Sequence, residues 1–160
     1  MAEYLFTYGP GMDHEFMARH IPGAEWIGAT LLVGYRLVLQ SALDRAVTNI
    51  VRAPGSMVWG VLYALPTDNP DALNTLDALA VQNGRTRLTC TVSRQDGSKY
   101  QAYTYAGAQS STGPLGLHSS DYERMLRGAE SAGLPNRYIN QISQYPILNA
   151  EDQRDDSDDL

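Results

Sequence analysis

The sequence predicts an α+β fold, a small mixed β-barrel with short flanking helices. Segments with strand character outnumber helical ones among the 160 residues. Most neighbouring strand segments are separated by short turns, which favours antiparallel pairing. Gly28 and Gly34 interrupt the longest segment, and bends at such positions let a sheet curl on itself. Helices are then expected to pack on the outside of the curled sheet.

Four segments in the first part of the chain are rich in apolar, β-branched and aromatic residues, which is typical of strands. They are Tyr4–Tyr8, Glu25–Gln40, Ala46–Arg52 and Met57–Leu65. A proline-glycine-serine turn at 54–56 separates the last two and predicts a hairpin between them. A short helix with an acidic cap is expected over Asp13–His20, because a proline and a glycine follow it directly.

Three helices and one hairpin are predicted in the remainder. A helix is expected to begin near Asp68 or Asn69 and to end at Asn83-Gly84, because leucines recur at helical spacing between them. A hairpin of two strands follows, with Asp96-Gly97 as its turn. Residues 106–117 are rich in small and turn-forming residues and predict a loop, and two further helices are expected over about 119–132 and 135–144.

Charge is concentrated at one end of the sequence. Residues 151–160 contain six acidic residues and one arginine, whereas the other 150 residues carry 12 acids and 11 bases. We therefore expect a domain over 1–148 and an acidic, disordered tail over 149–160. The nearly neutral domain has no basic stripe, so nucleic acid is not an expected partner.

Several other classes of protein are disfavoured by composition. No apolar run reaches the length of a membrane helix, and no secretion signal is visible at the start. Cys90 is the single cysteine, which excludes an internal disulfide and fits a cytoplasmic location. The three histidines lack the spacing of a metal site, so no metal or other cofactor is predicted. The expected partner is a small molecule, bound by a monomer or a homodimer.

The turn after the first strand is the strongest candidate site. It reads Tyr8-Gly9-Pro10-Gly11-Met12 and leads directly into the first predicted helix. Turns of this kind aim main-chain N–H groups at one point, which binds carboxylates, carbonyls and developing oxyanions. Proline has no N–H group, so Gly9, Gly11 and Met12 are the expected donors.

Four blocks, in order over residues 4–143, resemble the γ-glutamylcyclotransferase-like (AIG2-like) family. The first is the turn at 8–12, where family members usually read Tyr-Gly-Ser-Asn. The other blocks are Val33–Leu37, Ala53–Tyr63 with Leu76-Asp77, and Tyr122 with Gly128-Ala129, Gly133-Leu134-Pro135 and Tyr138. The resemblance implies a small mixed barrel and closure of a γ-glutamyl amine to 5-oxoproline. It also implies that the turn binds the glutamyl end and that a glutamate transfers protons.

The sequence departs from the family at that glutamate, because Ala80 stands in its place. Alanine cannot exchange a proton, so a cyclotransferase-type reaction would need another group. Asp77, one helical turn earlier, is one substitute. Tyr122 is the other, since the resemblance places it near the pocket.

Three interpretations remain open at this point. The protein catalyses 5-oxoproline formation, or a related lactam-forming or amide-exchange reaction, with an altered base. Alternatively, it is a disabled barrel that binds a small carboxylate or amide. The third is that Ala80 is an engineered change that inactivates a normal cyclotransferase. The residues expected to contact the ligand are Tyr8, Gly9, Pro10, Gly11, Met12, Ala80 and Tyr122.

Overall fold

The computed structural model describes residues 3–42, 45–108, 116–148 and 159–160. Within them, the strands are β1 (Tyr4–Thr7), β2 (Glu25–Ala42), β3 (Arg45–Ala64), β4 (Thr86–Ser93) and β5 (Lys99–Ala106). The helices are α1 (His14–His20), α2 (Ala72–Gln82), α3 (Ser119–Ala132) and α4 (Asn136–Ser143). A single 3-10 turn, Pro10–Met12, lies between β1 and α1.

The five strands close into a barrel in the order β1-β3-β2-β4-β5. Leu5 of β1 pairs in parallel with Tyr103 of β5, and the other pairings are antiparallel. Phe6, Leu62 and Val92 are at most 1% exposed, so the apolar core is continuous through the barrel. The predicted mixed barrel with flanking helices is confirmed.

Glycines bend β2, as the sequence predicts. The pairing of β2 with β3 shifts register between Trp26 and Gly28 and again between Val33 and Tyr35. Gly28 has φ 137° and Gly34 has φ 90°, values that side chains with a Cβ rarely adopt. These two irregularities give the 18-residue strand the curvature that a small barrel needs.

The hairpin predicted around residues 54–56 is wrong. Both flanking segments belong to the single strand β3, and both pair with β2: Arg52 lies opposite Tyr35 and Met57 opposite Val33. Residues 53–56 therefore bulge outward opposite the shift at Gly34, with Gly55 at φ 86°. Proline and glycine residues are typical of bulges as well as of reversals. A bulge and a hairpin turn differ in whether the two flanking segments pair with a third strand or with each other. That pairing involves residues far apart in the sequence, so local residues do not determine it.

The helices agree with the predicted ones to within a few residues, but two caps differ. α2 begins at Ala72, after a turn in which the Asn69 side chain accepts a hydrogen bond from the main-chain N–H of Asp71. α3 is capped by His118, whose Nδ1 accepts from the main-chain N–H of Ser120 at 3.2 Å. Among the helices described, none is both long enough and apolar enough to cross a membrane.

The predicted loop at 106–117 and tail at 149–160 fall partly outside the described residues, at 109–115 and 149–158. Asp159 and Leu160 are described, and the Asp159 residue is only 2% exposed. These two residues therefore differ from the disorder expected for the tail. They pack against the candidate site because the domain offers Asp159 an arginine partner there.

Candidate functional site

The turn between β1 and α1 aims one N–H group out of the turn. Met12 N–H donates within the turn to the oxygen of Gly9 at 3.0 Å, and Asp13 N–H donates to that of Pro10 at 3.1 Å. Gly11 N–H instead donates to the main-chain oxygen of Leu160 at 2.9 Å. Of the predicted donors, Gly11 therefore reaches a group from elsewhere in the chain, whereas the Met12 N–H is used in closing the turn.

The core holds this turn in place from two sides. The hydroxyl of Tyr63, which is fully buried, donates to the Gly11 oxygen at 2.9 Å. Gly128 of α3 packs so closely that an added Cβ would lie 2.4 Å from the carbonyl carbon of Met12. Asp13 does not cap α1 through its side chain, because its carboxylate accepts from Arg127 at 2.8 Å and 3.2 Å. The turn is thus rigidly positioned by β3 and α3.

A cavity lies between this part of the barrel and α2. With Leu160 in its wall, the cavity leaves only about 30 Å³ free, which is room for about one water molecule and well below the usual range for small-ligand sites. Its lining comes from β1, α2, β5 and the residues that follow α2. The lining residues are Leu5, Phe6, Thr7, Tyr8, Leu76, Leu79, Ala80, Arg85, Thr104, Tyr105 and Leu160.

Most hydroxyl groups of the lining already donate hydrogen bonds to the protein. Thr7 donates to the Val61 oxygen and Thr104 to the Phe6 oxygen, both at 2.9 Å. The hydroxyl of Tyr8 donates to the main-chain oxygen of Tyr105 at 2.5 Å. Burial raises the pKa of the Tyr8 phenol, although nearby Arg85 opposes the shift. Tyr8 is therefore protonated at neutral pH and is not a general base.

Ala80 lines the cavity and is 6% exposed. It contributes a methyl group to the wall. Among the described residues that line the cavity, none carries a side-chain carboxylate. The carboxylate that the family resemblance implies is thus not replaced by another one on the cavity wall.

Asp77 lies outside this lining, on the half-exposed side of α2. Its carboxylate accepts a hydrogen bond from the Tyr105 hydroxyl at 2.6 Å, and Arg87 Nε is 3.7 Å away. Burial, and then the hydrogen bond to Asp77, raise the pKa of the Tyr105 phenol. Asp77 therefore reaches the cavity only through Tyr105, which does line it.

The structure does not bring Tyr122 to the cavity. Its hydroxyl donates to the main-chain oxygen of Ser143 at 2.9 Å, which links α3 to the end of α4. The turn residues Gly9, Pro10, Gly11 and Met12 are all buried and do not line the cavity either. The Tyr122 hydroxyl is used between two helices away from this lining, and a contribution of Tyr122 to ligand binding stays a prediction.

Arg85 is the residue that the sequence reasoning missed. It is 4% exposed, lines the cavity and forms an ion pair with the carboxylate of Asp159. Asn83 donates to the same oxygen of Asp159 at 3.3 Å. A local signal was present, because Arg85 directly follows the Asn83-Gly84 helix stop. Its burial depends on the distant segment that covers it and is not visible in a local pattern.

Other chemistries have little support in this part of the chain. The described residues contain no group of three or more histidine, cysteine or acidic side chains that could hold a metal ion. Cys90 is a buried free thiol, and burial raises its pKa to about 11. A thiol with so high a pKa is a poor nucleophile at neutral pH.

Comparison with known proteins gives a family and a fold. The sequence profile of the AIG2-like family matches residues 57–142. No curated protein matches the sequence. The fold resembles that of a γ-glutamyl cyclotransferase at 18% identity and a TM-score of 0.81, with 93% of this chain and 90% of the other covered.

Two further solved structures share the architecture. An uncharacterised protein from Homo sapiens is 17% identical with a TM-score of 0.79, over 92% of this chain and 90% of its own. A yeast γ-glutamyl cyclotransferase specific to glutathione is 13% identical with a TM-score of 0.61, over 88% of this chain and 93% of its own. At these identities, the likeness establishes a common fold.

Proposed function

This chain belongs to the AIG2-like family, and on that premise we propose that it is a cyclotransferase-like protein that binds a γ-glutamyl-amine-type small molecule with little or no turnover. One observation carries the proposal: a buried arginine lines the cavity and the Gly11 N–H beside it binds an acceptor, here the Leu160 oxygen, but Ala80 presents only a methyl group. Binding needs complementary polar groups, whereas cyclisation also needs a proton acceptor.

The chemistry explains why the substitution matters. The α-amine of a γ-glutamyl compound is an ammonium at neutral pH and must lose a proton before it attacks the γ-carbonyl. The departing amine must then gain a proton. A positioned carboxylate performs both transfers and contributes about 10²–10⁴ in rate. The tethered amine is already close to its target, so proximity is largely supplied by the ligand itself.

The direct test restores a carboxylate at position 80. Wild type and Ala80→Glu are incubated with a γ-glutamyl p-nitroanilide, and 5-oxoproline is measured by mass spectrometry while binding is followed by calorimetry. We expect wild type to bind with background turnover and Ala80→Glu to gain about 10²–10⁴ in rate. Turnover by wild type at an enzyme-like rate would contradict the proposal, and so would lack of binding by both proteins.

Two matched variants isolate the carboxylate. Ala80→Gln has nearly the same shape as Ala80→Glu but cannot transfer a proton. Ala78→Glu adds the same charge to an exposed position of the same helix. Neither variant is expected to gain turnover.

A second candidate function is 5-oxoproline formation by a different route. It is favoured by the hydrogen bond from Tyr105, on the cavity wall, to Asp77. In this route the phenol oxygen of Tyr105 accepts the proton of the attacking amine as its own proton passes to Asp77, and the reverse transfer from Asp77 through Tyr105 then protonates the departing amine. Asp77→Asn and Tyr105→Phe would then each abolish turnover by wild type. If wild type has no turnover to abolish, this route is excluded.

A further inference from the structure

Leu160 forms part of the wall of the candidate cavity, and Asp159 lies beside it. The main-chain oxygen of Leu160 accepts the hydrogen bond from Gly11 N–H at 2.9 Å, and Leu160 is part of the lining. An added Cβ on Gly11 would lie 2.9 Å from that same oxygen. The glycine thus allows the close approach of an acceptor to the turn, and Leu160 supplies that acceptor.

The neighbouring Asp159 provides a carboxylate beside the cavity, outside its lining but in contact with Arg85. It is 2% exposed and forms an ion pair with Arg85, and Asn83 donates to the same carboxylate oxygen at 3.3 Å. The amide of Asn83 and the guanidinium of Arg85, which both follow α2, therefore contact the same carboxylate of Asp159. Charge-assisted hydrogen bonds of this kind are stronger than neutral ones.

Arg85 needs such an anion. Its side chain is 5% exposed, and its Nε–H has no hydrogen-bond partner among the described residues. A buried guanidinium without a carboxylate would be strongly unfavourable. Planar guanidinium groups are suited to bidentate recognition of carboxylates, and the unused Nε–H leaves a further donor for a ligand.

We infer that Arg85 and Asn83 form a carboxylate-binding subsite of this cavity, and that Asp159-Leu160 occupies it in competition with external carboxylate ligands. The inference deepens the proposed binding function and rests on it for the role of the cavity. It assigns the carboxylate of a γ-glutamyl-type ligand to Arg85 and an acceptor oxygen of that ligand to Gly11 N–H. An attached segment competes effectively because its local concentration is high.

The first experiment reports on the segment without any ligand. Amide hydrogen exchange at Gly11 is measured by NMR in wild type, Asp159→Asn and Asp68→Asn, the last of which removes the same charge from an exposed residue. Loss of the Asp159 anchor is expected to speed exchange at Gly11 by about tenfold or more. The Asp68→Asn protein is expected to exchange as wild type does. Equal exchange in all three proteins would overturn the inference.

The second experiment measures competition with a defined probe. N-acetyl-Asp-Leu-amide is titrated into the same proteins, with N-acetyl-Asn-Leu-amide as the matched uncharged probe. Asp159→Asn is expected to bind the acidic probe about tenfold more tightly than wild type and to show no such gain for the uncharged one. Arg85→Gln and Arg85→Lys, checked for folding by thermal melting, should bind the acidic probe more weakly than Asp159→Asn. Unchanged affinity in Asp159→Asn would overturn the competition.

These outcomes are distinguishable from failure of the proposed function. If no γ-glutamyl probe binds but the hydrogen-exchange and acidic-peptide results both hold, the proposed function is wrong and the subsite stands. If a γ-glutamyl probe binds wild type and Asp159→Asn equally, the binding function stands and the self-occupied subsite is wrong.

Discussion

Replacing Gly128 with alanine is expected to destabilise this protein, although alanine is the better helix former. Gly128 lies in the interior of α3 and is buried against the turn at residues 10–12. On an exposed helix surface, the change from glycine to alanine would stabilise by about 1 kcal/mol. Here, an added Cβ would lie 2.4 Å, 2.5 Å and 2.6 Å from the carbonyl carbon, oxygen and Cβ of Met12.

The magnitude follows from the rigidity of these neighbours. Carbon atoms in good contact are about 3.5–4.0 Å apart, so α3 and the turn would have to separate by about 1 Å or more. Met12 and Met125 are both 0% exposed, and that separation would loosen their packing. Overpacking of this kind costs about 1–3 kcal/mol and occasionally more. Because the short contacts include main-chain atoms, we place the cost at about 2–3 kcal/mol, and the gain of about 1 kcal/mol in helix propensity leaves a net loss of about 1–2 kcal/mol.

Urea denaturation and thermal melting measure this loss, which corresponds to a fall in Tm of about 2–8 °C for a chain of this size. Glu123→Ala, at an exposed position of the same helix, controls for helix propensity. Faster hydrogen exchange at Gly11 in Gly128→Ala would connect the lost stability to the turn. If Gly128→Ala were as stable as wild type or more so, the close approach of α3 to the turn would be refuted.

Two other predictions concern residues away from the cavity. Tyr122→Phe removes the hydrogen bond to Ser143 and should lower the free energy of unfolding by about 1 kcal/mol. Binding of the γ-glutamyl probe should not change. Weaker binding at unchanged stability would show that Tyr122 contributes to ligand binding. Burial raises the pKa of Cys90 from 9.0 to about 11, so between these pH values the folded protein retains a proton that the unfolded chain loses. Stability of wild type should therefore fall from pH 9 to 11 relative to Cys90→Ala, as followed by Tm; a constant difference in Tm would contradict the raised pKa.

Parts of the candidate site could be predicted because they depend on local chemistry. The glycine-rich turn and Ala80 were both identified from neighbouring residues and the family pattern, and both lie at or beside the cavity. The direction of the Tyr122 hydroxyl could not be predicted, because a phenol on a helix can point toward a pocket or toward another helix, and helix packing decides between them. Arg85 was missed because its partner Asp159 is distant in the sequence.

The sequence by itself determined the barrel class, most strand and helix positions, the bends of β2 and the alanine at position 80. These features follow from local periodicity, turn chemistry and residue identity, all of which act over a few neighbours. Only the tertiary structure decided that β3 is one strand, since both of its halves find their partner in β2. It also decided that Asp159 lies beside the cavity, where its carboxylate pairs with the buried Arg85. Pairing of distant segments depends on the complementarity of surfaces that exist only after the chain has folded.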